Sequence, residues 1–227
     1  MPSRGLRISV IVLVIIIFAI AGAFVVNRFN TPTTPAFLND FTAEFLVKDA
    51  ETPDGFHLFE SGTRKYTILF PEDYVVEKSS YYRKRASGSE DSDTENVYLN
   101  KMGVSPKENQ MIQGIKLFLH PDVNTVDDIR LGMIRDKLHA PEDIEFTEVK
   151  LKDNTIHYME YIDEFKDEDM VDTYYYLYGL ISNNNSKQAI YFELEDTCFN
   201  NNTLGCSINF ETEKKLGIKM MESIKFK

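Results

Sequence analysis

The sequence has no tryptophan, only four histidines and only two cysteines in 227 residues, and each shortage argues against a kind of site. Without tryptophan, a sugar-binding platform lacks its commonest stacking residue. The histidines have neither the helical nor the hairpin spacing of metal ligands; they are His57, His120, His139 and His157. No Gly-x-Ser-x-Gly motif marks a hydrolase nucleophile. We therefore predict no catalytic residue, no cofactor and no metal site, and we expect a protein that is not an enzyme.

The two cysteines, Cys198 and Cys206, flank a short loop that is rich in asparagine and ends with Gly205. Outside the cytoplasm such a loop allows a disulfide, and glycine makes a tight closure feasible. We predict a bond between Cys198 and Cys206, with two unpaired thiols as the alternative. Neither cysteine closely follows the N-terminal apolar run, so the sequence argues against a lipid-modified cysteine as the anchor.

Long apolar runs are also scarce, since only residues 8–26 form one without a charge. A helix formed by residues 8–26 would be about 28 Å long, close to the ~30 Å thickness of the hydrocarbon core of a bilayer. Arg4 and Arg7 precede the run and Arg28 follows it, so the positive-inside rule places residues 1–7 in the cytoplasm. We predict a transmembrane signal-anchor at 8–26 in the cell membrane, crossing once. A cleaved signal peptide, cut near Ala21-Gly22-Ala23, remains the alternative.

Basic residues are fewer than acidic ones: 25 Lys and Arg against 36 Asp and Glu give a net charge of −11. Residues 1–26 contain no acidic residue, so the rest of the chain carries the excess. Phosphate backbones and anionic lipid headgroups repel such a surface, which argues against a nucleic-acid partner and against peripheral lipid binding. The abundance of Ile, Lys and Asn suggests a bacterial source.

Two acidic segments resemble cation sites. Asp91, Asp93 and Glu95 alternate like the opening of a calcium loop, but the later glycine and glutamate of that loop are missing, so we expect a solvated loop. The segment 163–172 is denser in Asp and Glu. It could hold a weakly bound divalent ion, or it could be a charged hairpin tip that prevents edge pairing.

After the apolar run, the chain divides into a spacer and lead-in at 27–54, stiffened by Pro32 and Pro35, and one extracytoplasmic domain at 55–227. Short β-branched and aromatic runs around turn residues predict three hairpins, at 56–70, 145–165 and 172–195. Helical periodicity appears at 125–138, with Val126, Ile129 and Met133 on one face, and at 213–224, with Leu216, Met220 and Ile224 on one face. We expect Lys214, Lys215, Lys219 and Glu222 to remain in water.

This order of elements resembles the PsbP superfamily. The segment Tyr66 to Tyr74, with Pro71 after the strand, is similar to the opening of that family, and the ending at 223–226 is similar to its Ser-Phe-Lys-Phe ending. The resemblance implies an α+β fold in which helices cover an antiparallel sheet, an α/β/α sandwich behind the transmembrane helix. It also implies a binding or assembly factor with no shared catalytic set, which is an analogy from fold.

The run Tyr174-Tyr175-Tyr176-Leu177-Tyr178 is the most unusual stretch. Strand alternation places Tyr174, Tyr176 and Tyr178 on one face and the other two residues on the opposite face. An exposed tyrosine row suits a protein partner, because tyrosine offers a large contact area at low entropic cost. Rings that cover a helix inside the fold are the alternative.

These features predict a membrane-anchored, extracytoplasmic accessory protein that docks on a membrane or cell-envelope assembly through a protein partner. The alternative is an envelope protein that binds a small ligand or a divalent cation, in a pocket between sheet and helix or at the acidic segment near Asp167.

Overall fold

Alternating apolar and polar residues determine this architecture, because successive side chains of a strand point to opposite faces. The computed structural model describes residues 32–84, 93–103, 111–120, 127–138, 140–141, 144–167, 170–199 and 208–227. The strands are β1 Phe56–Glu60, β2 Tyr66–Pro71, β3 Tyr74–Val76, β4 Tyr82–Lys84, β5 Thr94–Lys101, β6 Met111–His120, β7 Thr147–Lys150, β8 Asn154–Asp167, β9 Met170–Asn183, β10 Ala189–Cys198 and β11 Lys225–Phe226. The helices are α1 Pro35–Leu38, α2 Asp40–Ala43, α3 Asp127–Leu138 and α4 Phe210–Ser223.

The described strands form two antiparallel sheets. A three-stranded sheet has the order β1-β2-β11, and an eight-stranded sheet has the order β3-β5-β6-β10-β9-β8-β7, with β4 paired to β5. The three predicted hairpins are confirmed as β1–β2, β7–β8 and β9–β10. β8 and β9 also pair, from Asn154 opposite Asn183 to Asp167 opposite Met170. The described residues of the acidic segment, 163–167 and 170–172, therefore lie at the end of a long hairpin.

One face of the eight-stranded sheet, called here the inner face, carries the main apolar core. Its buried residues include Leu99, Leu117, Leu177 and Phe192, and they form one cluster with Phe59, Ile68 and Phe70 of the small sheet. Helix α4 packs on the same face, because a Cβ at Gly217 would lie within 3.4 Å of Leu177, Phe192 and Leu194. The small sheet and α4 thus cover the inner face together.

Helix α4 confirms the predicted closing helix, but Lys214 and Lys219, which were expected to remain in water, are half-buried, and Lys214 donates a hydrogen bond to Glu160. Met220 and Ile224 are 0% and 1% exposed, and Leu216 packs partly buried against the same core. Lys219 is not simply in water, since its ammonium lies 4.2 Å from the ring centroid of Phe56. Asn209 caps the helix by accepting a 3.1 Å hydrogen bond from the N–H of Thr212.

The prediction of an α/β/α sandwich behind a transmembrane helix was wrong. Antiparallel strands dominate the described residues, and a second sheet takes part of the place that a helical layer would fill. The aromatic runs of β1 and β2 suit a pleated, half-buried surface, which is why strands provide that cover. None of the described helices is long and apolar enough to cross a membrane, and the predicted segment 8–26 lies outside the described residues.

Candidate functional site

The predicted tyrosine row lies on the face of the eight-stranded sheet opposite the inner face. We call this the tyrosine face, and it carries Phe118, Tyr161, Tyr174, Tyr176, Tyr178 and Tyr191. The rings of Tyr174 and Tyr176 stack with centroids 6.2 Å apart, and those of Tyr176 and Tyr178 with centroids 5.8 Å apart. Tyr175 and Leu177 point the other way and are buried in the core, so the predicted alternation is confirmed.

The three tyrosines differ in their surroundings. Tyr174 and Tyr176 are half-buried, and Tyr161 of β8 lies across from Tyr176 with ring centroids 4.9 Å apart. Tyr178 is only 5% exposed and packs with Ile134 and Leu180. Burial and the nearby Glu195 raise the pKa of Tyr176 to about 12, so its ring carries a neutral hydroxyl at neutral pH. The sequence indicated the shared face but not that Tyr178 is enclosed.

The far end of the β8–β9 hairpin extends beyond the strand next to it. β10 pairs with β9 only from Thr173 to Ser182, so residues 165–167 of β8 pair with a part of β9 that β10 does not reach. Phe165 is 62% exposed there, and Ile162, on the opposite face where β10 still flanks β9, is 54% exposed. Asp163, Glu164 and Asp167 lie near these residues along β8, and Asp172 of β9 lies opposite Phe165. The described part of this hairpin end combines exposed apolar side chains with an acidic rim.

A cavity of about 430 Å³ lies between helix α3 and the tyrosine face. Its side chains are mostly aromatic or apolar, and its lining consists of Phe118, His120, Met133, Ile134, Tyr178, Gly179, Tyr191, Phe192 and Glu193. The predicted apolar face of this helix was wrong at Met133, which is 61% exposed, whereas Ile134 is 8% exposed and packs on the sheet. Val126 lies outside the described residues. Packing against the sheet decides which side of α3 is buried, and the local periodicity of the helix does not determine it.

Three charged groups lie beside this cavity on neighbouring strands. Lys116 of β6 donates hydrogen bonds to Glu193 and to Glu195 of β10. Burial opposes the ammonium form of Lys116, but these carboxylates outweigh burial and raise its pKa. Burial and Glu193 raise the pKa of Tyr178 far above the usual value for a tyrosine, so its hydroxyl is neutral.

A second polar cluster, between α4 and the inner face, is one that sequence reasoning missed. Glu213 accepts hydrogen bonds from Lys101 at 3.0 Å and from Gln113 at 3.1 Å. Asp196 is fully buried, and neither of its carboxylate oxygens has a hydrogen-bond partner among the described residues. The periodicity did contain a signal, because Asp196 alternates inward with Phe192 and Leu194.

The other candidate residues do not come together as a metal site. His57 bonds to Thr34 at 2.7 Å and His157 to Glu148 at 3.2 Å, while His139 lies outside the described residues. Across the described ranges, no three His, Cys, Asp or Glu side chains are grouped to hold a metal ion. The reading of 91–95 as a solvated loop was wrong for Glu95, which is buried in β5.

Cys198 is 2% exposed at the end of β10, and Cys206 lies outside the described residues. The disulfide between Cys198 and Cys206 therefore stays a prediction.

Comparison with known proteins gives one family. The model of the family YvcA_Mog1p, described as "Putative lipoprotein YvcA", matches residues 32–225, which is more than four fifths of the chain. No curated protein matches the sequence.

Proposed function

We propose, on the premise that this chain belongs to the YvcA_Mog1p family, that it is an extracytoplasmic, membrane-attached accessory protein. In this role it docks onto a protein partner in a cell-envelope assembly and catalyses no reaction. The family description supports the membrane attachment and the location. The resemblance to the PsbP superfamily, whose members include binding and assembly factors, supports a role in assembly.

The observation that carries the proposal is the far end of the β8–β9 hairpin. Phe165 is 62% exposed on a hairpin end that no described strand flanks, and Ile162 is 54% exposed on the opposite face of the same hairpin. On the tyrosine face, Phe165 continues toward Tyr174, Tyr176 and Tyr161, because these residues alternate on paired positions of β8 and β9. We call Phe165, Tyr161, Tyr174 and Tyr176 the docking surface. Aromatic side chains of this kind dominate the energetics of protein interfaces.

Charge complementarity indicates the chemistry of the partner. Asp163, Asp167 and Asp172 share the face of Phe165 and form the rim of the docking surface, whereas Glu164 and Lys166 alternate to the opposite face. Lys166 already pairs with Glu164 at 2.9 Å, which leaves the rim acidic. A partner with a basic rim around an apolar centre fits this arrangement. Such a rim accelerates association with basic partners and repels acidic ones.

A photo-crosslinking analogue in place of Phe165, in the full chain in its native membrane, tests the proposal. We expect it to trap one protein of defined mass, whereas the same analogue in place of Tyr82, which is 50% exposed on β4, traps none. The crosslinked yield should fall in a Tyr174→Ala, Tyr176→Ala variant and in an Asp163→Lys, Asp172→Lys variant. Equal yields at positions 165 and 82, or yields that neither variant reduces, would refute the docking surface.

A further inference from the structure

We propose that the cavity between α3 and the tyrosine face binds a small organic cation, an apolar molecule that carries an amine. This site is distinct from the docking surface, and the inference does not depend on the proposed docking function. It rests on the shape of the cavity, on its aromatic walls and on the charges next to it.

The cavity has the size and lining of a ligand site. Its volume of about 430 Å³ falls within the usual range for small-molecule pockets. Three neighbouring strands form its floor: Phe118 of β6 lies opposite Tyr191 of β10, and Glu193 of β10 lies opposite Tyr178 of β9. Helix α3 forms its roof with Met133 and Ile134. Rigid aromatic walls with a few polar groups are typical of pockets that orient one ligand.

The charges beside the cavity favour a cation over an anion. Glu193 is the acidic residue of the described lining, which contains no Lys or Arg, and its ion-pair partner Lys116 lies outside that lining. Glu193 itself lines the cavity and is 8% exposed, where its field is less screened than at the surface. An anionic ligand would meet this carboxylate, whereas an amine would gain from it.

The aromatic rings add to this preference. The faces of tyrosine and phenylalanine attract cations, and the attraction grows when water is excluded. Tyr178, Tyr191 and Phe118 provide such rings around the cavity, and the neutral hydroxyl of Tyr178 can accept a hydrogen bond from an amine. The rings of His120 and Tyr191 meet edge to face with centroids 4.7 Å apart, and this contact helps to hold the ring of Tyr191 in place.

Met133 provides the opening. Its side chain is 61% exposed and also lines the cavity, whereas the neighbouring Ile134 is 8% exposed and fixes the helix to the sheet. The flexible thioether of methionine adapts to ligands of different shape. A ligand can therefore enter beside Met133 without displacing the helix from its core contacts.

Three probes of the same length distinguish the effect of ligand charge on binding from that of ligand size. They are 4-phenylbutylamine, 4-phenylbutanol and 4-phenylbutyrate. With methyl-labelled methionine in the intact protein, we expect the amine to shift the NMR signal of Met133 and to leave that of Met102, which is 50% exposed elsewhere, unchanged. The amine should bind about tenfold or more tightly than the carboxylate, with the alcohol between them. Equal affinity for the three probes, or shifts at both methionines, would overturn the proposal.

Two variants test the site itself. Met133→Trp should block the opening and weaken binding of the amine about tenfold or more, while Met102→Trp, a change of the same size at another exposed methionine, leaves it unchanged. Glu193→Gln should weaken binding of the amine but not of the alcohol. If Glu193→Gln does not fold, the pair of methionine variants decides the question, and unchanged binding in Met133→Trp refutes the site.

Discussion

The backbone N–H of Gly62 donates a 2.7 Å hydrogen bond to Oε1 of Glu95, whose side chain is fully buried. The hydroxyl of Tyr81 donates to the same oxygen at 2.7 Å. Burial raises the pKa of Glu95, and the hydrogen bonds from Tyr81 and Gly62 oppose this rise by favouring the carboxylate. Because Gly62 follows β1 and Glu95 lies in β5, this carboxylate ties the small sheet to the large one.

The first prediction is that Gly62→Ala destabilises the fold through Tyr81. A Cβ at position 62 would lie 2.1 Å from the hydroxyl oxygen of Tyr81, which the hydrogen bond to Glu95 holds in place. Overpacking of this kind costs about 1–3 kcal/mol in the free energy of unfolding, measured by urea titration.

Tyr81→Phe removes the oxygen that clashes, so Gly62→Ala should cost less in that background than in the wild type. A double-mutant cycle measures the difference. The same cost in both backgrounds would show that Tyr81 is not the obstacle.

The second prediction concerns Asp196 and the dependence of stability on pH. Burial, and then the charge of Glu213, raise the pKa of Asp196 to about 8 from its ordinary value of 3.8. Between those two values the folded state holds a proton that the unfolded state has lost. The contribution of Asp196 to the free energy of unfolding is therefore fully present at low pH and is lost progressively as the pH rises from about 4 to about 8.

Asp196→Asn keeps the shape and removes the titration. We expect the unfolding free energy of the variant to increase relative to that of the wild type as the pH rises across this window. Urea titrations at several pH values measure this difference. The slope is at most about 1.4 kcal/mol per pH unit for one group. A constant difference between the two proteins at every pH would contradict a raised pKa.

The third prediction concerns the closing helix. Met220 is 0% exposed against the core, so Met220→Ala should lower the unfolding free energy by about 2–5 kcal/mol. Lys215 is exposed on the same helix, and Lys215→Ala should change it by less than about 0.5 kcal/mol. Lys219→Ala should fall between the two, since it removes the cation–π contact with Phe56. Equal, small effects of all three in urea titrations would mean that α4 does not cover the sheet.

The local periodicity of the sequence was sufficient to predict much of the secondary structure. The hairpins β1–β2, β7–β8 and β9–β10 could be predicted because their strands are neighbours in sequence and their turns contain the residues that turns require. The stripe of α4 could be predicted from a spacing of four residues. The buried side of helix α3 could not be predicted in the same way, because Ile134 contacts the core whereas its neighbour Met133 is exposed.

The sequence by itself determined that Tyr174, Tyr176 and Tyr178 share a face, because alternation is a property of every strand. Only the tertiary structure decided that Tyr178 is enclosed by α3 while Tyr174 and Tyr176 stay half-open. It also decided that β6 pairs with β10, which brings Lys116 to Glu193 across 77 positions of the chain. Pairing between distant strands depends on which apolar faces can be buried together, and that is a property of the whole chain rather than of any segment within it.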